Sequence, residues 1–200
     1  MDEEIRRRRR ALDQLWEEGR RAIGADQRFV PGEGSPVARL MLIGEAPGRE
    51  EAEQGRPFVG RSGQLLNRVL QEVGISRDQV WVTNVFKARP TAERGGRIVN
   101  RRPTAAETRT GERLLRQEIQ IIRPRIIVCL GSLAARAIIA RDFSLSEGRG
   151  KWSRLPDGIA ALATFHPAYI LRQRGPERDQ LMALFEQDFR AVKEALERCS

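Results

Sequence analysis

The sequence predicts an α/β protein: a three-layer α/β/α sandwich around a central four-stranded parallel sheet. Four short, nearly continuous apolar runs occupy 38–44, 79–85, 124–131 and 159–165. They have the length and composition of strands buried on both faces. Between them lie segments with helical periodicity and start or stop signals. Strand alternating with helix in this way builds a parallel sheet covered on both sides.

Taken in order, residues 2–23 place Ile5, Leu12, Leu15, Trp16 and Ile23 among charged positions, the pattern of an amphipathic helix. "PGEGSP" at 31–36 is a turn-rich connector, so 1–30 reads as a helix and connector packed on a single domain spanning 1–200. "ARLMLIG" (38–44) is the first strand. A long loop follows at 45–61, with Pro47, Gly48, Gly55, Pro57 and Gly60; its "RPFVG" is too apolar for disorder. Ser62 caps a helix to about 73 that closes at Gly74. "QVWVTNV" (79–85) is the second strand, and 87–103 is a basic, glycine-containing loop. Thr104 with Glu107 forms a capping box for a helix to about 122. "PRIIVCLG" (124–131) is the third strand, with Ser132 capping the next helix. Glycines and a proline break the chain before "IAALATF" (159–165), the fourth strand, which delivers His166, the single histidine. A last helix covers 176–197.

With 40% hydrophobic residues, 200 residues suffice for one core. No apolar run is long enough to cross a membrane, and the N-terminus lacks a secretory pattern, so a cytoplasmic protein is expected. Cys129 and Cys199 offer neither a disulfide framework nor a cysteine metal site. Lys and Arg number 36 against 27 Asp and Glu, a net charge of +9 that suits a polyanionic partner, nucleic acid first. The cation is nearly all arginine, which forks onto phosphate, although a GC-rich genome produces the same bias.

Ligands in open parallel sheets bind beyond the carboxyl ends of the strands. There the chain places Gly44 and Glu45, Asn84, and His166. Each has an ordinary reading: a turn residue for Asn84, packing or a turn cap for His166, core for Phe58. Their convergence on one rim suggests a site. A planar amide suits the edge of a base, and an imidazole can donate to an oxygen that becomes negative in a transition state.

"GEAPG" (44–48), "GRPFVGRSG" (55–63), "TNVFKARP" (83–90), "NRRP" (100–103) and "HPAYILR" (166–172) together resemble the motifs of the uracil-DNA glycosylase superfamily, nearest its family 4, the iron–sulfur type. The resemblance covers about 30–190. It implies hydrolysis of the N-glycosidic bond of deoxyuridine in DNA, leaving an abasic site, by a monomer. It further implies a uracil pocket of Gly44, Ala46, Glu51, Phe58, Asn84 and His166. Phe58 would stack on the base, Asn84 read N3–H and O4, and Glu51 exclude a thymine methyl. His166, with backbone amides near Glu45 and Ala46, would hold O2, and Glu45 would position water or stabilise a cationic sugar. DNA contacts would come from Ser62, Lys87, Arg94, Arg97, Arg101 and Arg102, with Tyr169, Leu171 and Arg172 in a wedge.

The chain departs from that family. Where the family has four cluster cysteines, this chain has "WEEGRR" (16–21), Ala88 and, at about its position, Gly111. No iron–sulfur cluster or other cofactor is therefore expected. "TAERGGRI" (91–98) is an insertion. A similarly placed basic loop occurs in a relative that traps uracil-DNA covalently through a histidine; Asn100 stands there here and cannot form that adduct. Ala52 replaces an acidic residue of many relatives. The competing reading is a non-catalytic protein that shields uracil or abasic sites. A serine hydrolase using Ser62 is poor, because "GRSG" lacks the nucleophile elbow.

Overall fold

The computed structural model describes residues 2–24 and 27–198; Cys199 lies outside them. The elements are α1 (Asp2–Ile23), β1 (Glu33–Gly34), β2 (Leu40–Gly44), α2 (Arg49–Gln54), α3 (Arg61–Glu72), β3 (Val80–Asn84), β4 (Thr91–Arg94), β5 (Arg97–Asn100), α4 (Ala105–Ile122), β6 (Ile126–Leu130), α5 (Ser132–Ile138), α6 (Leu145–Gly148), β7 (Trp152–Arg154), β8 (Ala160–Thr164), α7 (Pro167–Arg172) and α8 (Gly175–Arg198). Among the described residues the main sheet has the order β1-β3-β2-β6-β8-β7. Its four central strands are the four predicted ones, all parallel. The central sheet is nevertheless six-stranded: β1 and β7 add antiparallel edges.

Every residue of β2, β3 and β6 is buried, because helices cover both faces. Leu40, Leu42, Val82 and Val128 pack with α3 and α8 through Leu66, Val69, Phe185 and Phe189. Their neighbours Met41, Ile43, Trp81 and Ile127 pack on the other side with α1, α4 and α5, through Leu12, Trp16, Leu115 and Ala134. The chain leaves β2 for β3 on one side and reaches β6 on the other. That reversal opens a crevice at the carboxyl ends of the strands.

Several boundaries differ from expectation. Gly60 and Gly131, not Ser62 and Ser132, occupy the N-cap positions of α3 and α5; each serine sits inside the first turn. The Thr104 capping box forms as expected, with Glu107 N–H donating to Thr104 Oγ1 at 3.2 Å and Thr104 N–H to Glu107 Oε2 at 2.7 Å. The long loop after β2 contains α2, closed by Gly55 at φ 70°. The basic segment contains a separate hairpin, β4–β5. No helix among the described residues is long and apolar enough to cross a membrane.

Candidate active site

At the carboxyl rim of the sheet lies a cleft of about 290 Å³, lined by Glu45, Ala46, Glu51, Phe58, Ser62, Asn84, Asn100, Arg101, His166 and Arg172 among others. Strand register brings its floor together. Gly44 of β2 pairs with Asn84 of β3. A Cβ added at Gly44 would lie 2.5 Å from Asn84 Oδ1 and 2.6 Å from Phe58 Cζ, so the bare glycine lets amide and ring meet. The chain beyond β3 stays tied to β2: Val85 N–H donates to Gly44 O at 2.9 Å and Phe86 N–H to Glu45 O at 3.0 Å.

Phe58 adopts φ 54°, a left-handed conformation that phenylalanine rarely takes. Its backbone presses against Gly63 of α3, where any Cβ would overlap the Phe58 carbonyl. Glu51 fixes the same loop from inside, accepting Gly48 N–H at 3.1 Å and Gly60 N–H at 2.9 Å. The Phe58 ring ends up 6.0 Å from the His166 ring, centroid to centroid, with planes 30° apart.

His166 follows β8 and caps α7: Ala168 N–H donates to its Nδ1 at 3.1 Å. Nδ1 therefore presents a lone pair, and a neutral ring carries its proton on Nε2. Burial, reinforced by the Arg172 cation, lowers the imidazole pKa to about 4, so the ring is a neutral donor at ordinary pH. The end of β8 is braced by Thr164 Oγ1, which donates to Asp188 at 2.5 Å, while Arg149 binds the other Asp188 oxygen at 2.7 Å. Burial raises the Glu45 pKa above its usual value, partly offset by Arg102 and Arg172. Glu45 and His166 also border an adjoining cleft of about 680 Å³ that Arg102, Arg136, Arg141 and Tyr169 help to line. The arrangement offers an apolar ring, a planar amide, a neutral imidazole and a carboxylate around one base-sized space.

A family model described as the uracil DNA glycosylase superfamily matches residues 31–190, which include the whole of that cleft. The chain belongs to this superfamily. It is similar to the type-4 uracil-DNA glycosylase of Sulfurisphaera tokodaii, with 39% identity over 173 residues, 82% of this chain and 73% of the relative. It is likewise similar to the type-4 uracil-DNA glycosylase of Archaeoglobus fulgidus, at 38% over 174 residues, 83% and 81% of the two chains. A type-5 uracil-DNA glycosylase of Thermus thermophilus is 31% identical over 168 residues, 74% of this chain and 73% of that one.

Within this glycosylase-family framework three residue assignments change. Lys87 is fully buried and cannot touch DNA. Its ammonium donates to Thr83 and Glu118 and lies 5.7 Å from the Trp16 ring. Burial lowers its pKa, against the pull of Glu118. Leu171 packs against the core, leaving Tyr169 and Arg172 as the exposed part of α7. Arg101 spends its guanidinium on Glu107, at 2.6 and 2.7 Å, and holds that carboxyl down at about 2. Arg94 and Arg97 do not line the cleft; they lie on the hairpin.

The four-cysteine cluster implied by the iron–sulfur resemblance does not fit the residues present. Ala88 is buried and bridges Phe29. Gly111 abuts the Val85 carbonyl with no space for a side chain. Gly19 of α1 lies against the Phe29 ring, where an added Cβ would come within 2.5 Å, and Trp16 packs on the same ring at 5.7 Å. Cys129 belongs to β6, where burial strongly raises its thiol pKa. Among the described residues no three His, Cys, Asp or Glu side chains are grouped to hold a metal. Around Gly19 the space is taken by the Phe29 and Leu114 side chains, and at Gly111 by the backbone of Val85 and Phe86.

Proposed function

We propose that the protein is a monofunctional uracil-DNA glycosylase, acting as a monomer without an iron–sulfur cluster. The observation that carries this reading is the neutral, Nδ1-capped imidazole sharing one cleft with the Asn84 amide and the Phe58 ring. A base inside a duplex is unreachable, so it is extruded into the cleft. Phe58 stacks on it. The Asn84 amide accepts from N3–H and donates to O4, an edge on which cytosine exchanges donor and acceptor. Glu51, held by the Gly48 and Gly60 amides, fills the space of a thymine methyl.

As the bond from N1 to C1′ breaks, its electron pair leaves with uracil. The charge reaching O2 meets His166 Nε2–H and the amides near Glu45 and Ala46. Glu45 orients the water that adds to C1′ and takes its proton. Ser62, near the start of α3, with Arg102 and Arg172, receives phosphates, while Tyr169 props the opened stack. No lysine lines the cleft, so the site lacks an amine for a Schiff-base lyase step.

The test is incubation with excess uracil-containing DNA followed by alkaline cleavage of abasic sites. The expected result is more strand breaks than protein molecules; stoichiometric binding without breaks favours the shielding protein instead. In the same assay the acid limb of the rate is set by Glu45, above the ordinary carboxylate value of 4.5, since its protonation removes the base. His166 stays neutral until about pH 4. Glu45→Gln lowers the rate and abolishes that limb; a limb that persists assigns the titration elsewhere. Elemental analysis of the purified protein is expected to find no stoichiometric iron, with no visible absorption band.

A further inference from the structure

The β4–β5 ribbon stands apart from the main sheet. Its tip is Gly95–Gly96, both at positive φ (57° and 72°), as a tight two-residue hairpin turn requires. An isolated two-stranded ribbon is marginally stable in water, and this one is fastened at its base. Arg89 Nε donates to Asn100 Oδ1 at 2.7 Å, Arg101 N–H to Pro90 O at 3.1 Å, and the Arg101 guanidinium joins Glu107 of α4.

The far end is different. Ile98 is 69% exposed, the most exposed large apolar side chain among the described residues. Arg94 and Arg97 pair across the turn, both exposed. Side chains two apart on a strand share a face, so Ile98 lies on the same ribbon face as Asn100. Asn100 lines the cleft, and Ile98 sits about 7 Å further out along the strand. Tyr169, 39% exposed on α7, borders the adjoining cleft. A bare apolar side chain thus stands on the ribbon face that Asn100 carries to the cleft, opposite Glu93 and one residue from the Arg94–Arg97 pair at the tip.

We propose that β4–β5 is a duplex-engaging arm: Ile98 packs into the base stack opened by extrusion, and Arg94 and Arg97 take the flanking phosphates. Continuity with the cleft and opposite charge select DNA as the occupant. Apolar wedges between base steps bordered by arginine stabilise distorted duplexes in just this manner. Single strands need no such prop, so the arm confers a preference for double-stranded substrate. This inference rests on the cleft taking an extruded base.

The test compares wild type, Ile98→Ala, Ile98→Leu and Arg94→Gln/Arg97→Gln on matched single- and double-stranded uracil DNA, with 2-aminopurine beside the uracil reporting unstacking. Ile98→Ala is expected to raise KM on duplex about tenfold, a free-energy change of order 1.4 kcal/mol, and to reduce the 2-aminopurine signal. Activity on single strands stays at the wild-type level, and Ile98→Leu restores duplex activity. The double arginine variant lowers the salt slope of duplex binding by about two phosphate contacts. Equal KM and equal fluorescence for wild type and Ile98→Ala on duplex would overturn the proposal. So would sedimentation showing that Ile98→Ala acts only by abolishing self-association. Absence of uracil release by wild type on either substrate defeats the glycosylase reading instead; binding to abasic duplex then still reports on the arm.

Discussion

His166→Ala slows uracil release at saturating substrate by about 10²–10³-fold, the usual cost of removing one donor to a developing oxyanion. The same change deletes the cap of α7, a separate loss of about 1 kcal/mol in stability. His166→Asn separates the two effects: asparagine caps well, so stability returns while the rate does not. Asn84→Asp is expected to fail by a comparable factor, because two acceptor oxygens leave uracil O4 without a donor and present like charge to the departing anion. Single-turnover rates and thermal melts on the three variants check this. Wild-type rates in both His166→Ala and Asn84→Asp would remove these residues from the chemistry.

Lys87→Met has the largest expected effect on stability. It leaves the Glu118 carboxylate buried without its cation, a loss of about 3–5 kcal/mol and a fall in Tm of roughly 10 °C for a chain of this size. Trp81 Nε1 donates to the other Glu118 oxygen at 2.7 Å and Thr83 Oγ1 to the Lys87-bound one at 3.2 Å. Lys87→Met/Glu118→Gln keeps an acceptor for Trp81 and removes the charge, so it recovers most of the loss. Thermal melts of the single and double variants read both effects. A single variant as stable as wild type shows that the pair contributes nothing. Thr83 precedes Asn84, so the network also steadies the strand end that presents the amide.

The same residues show what a sequence reveals and what it conceals. The four parallel strands were legible because burial on both faces writes an apolar run with no alternation. β1 and β7 were not: two and three residues hold no period, and pairing with a neighbour creates them. Glu45, Asn84 and His166 could be assembled in advance because parallel strands end on one rim. Lys87 was misread because a lysine just past a strand ordinarily reaches solvent. A warning was present in "LLRQEIQII", where Glu118 interrupts the apolar stripe of α4 and so demands a buried cation. Ser62 and Ser132 lie two residues and one residue past the true N-caps, Gly60 and Gly131, since glycine at the N-cap leaves no side-chain signal. The part Glu51 plays in closing its loop depends on Gly60, nine residues away, a contact no local pattern encodes.

Because one nitrogen of the His166 ring starts the helix that carries Tyr169 and Arg172, that helix and the donor facing the cleft are mechanically one part. Any substitution that shifts the start of α7 therefore also shifts the imidazole.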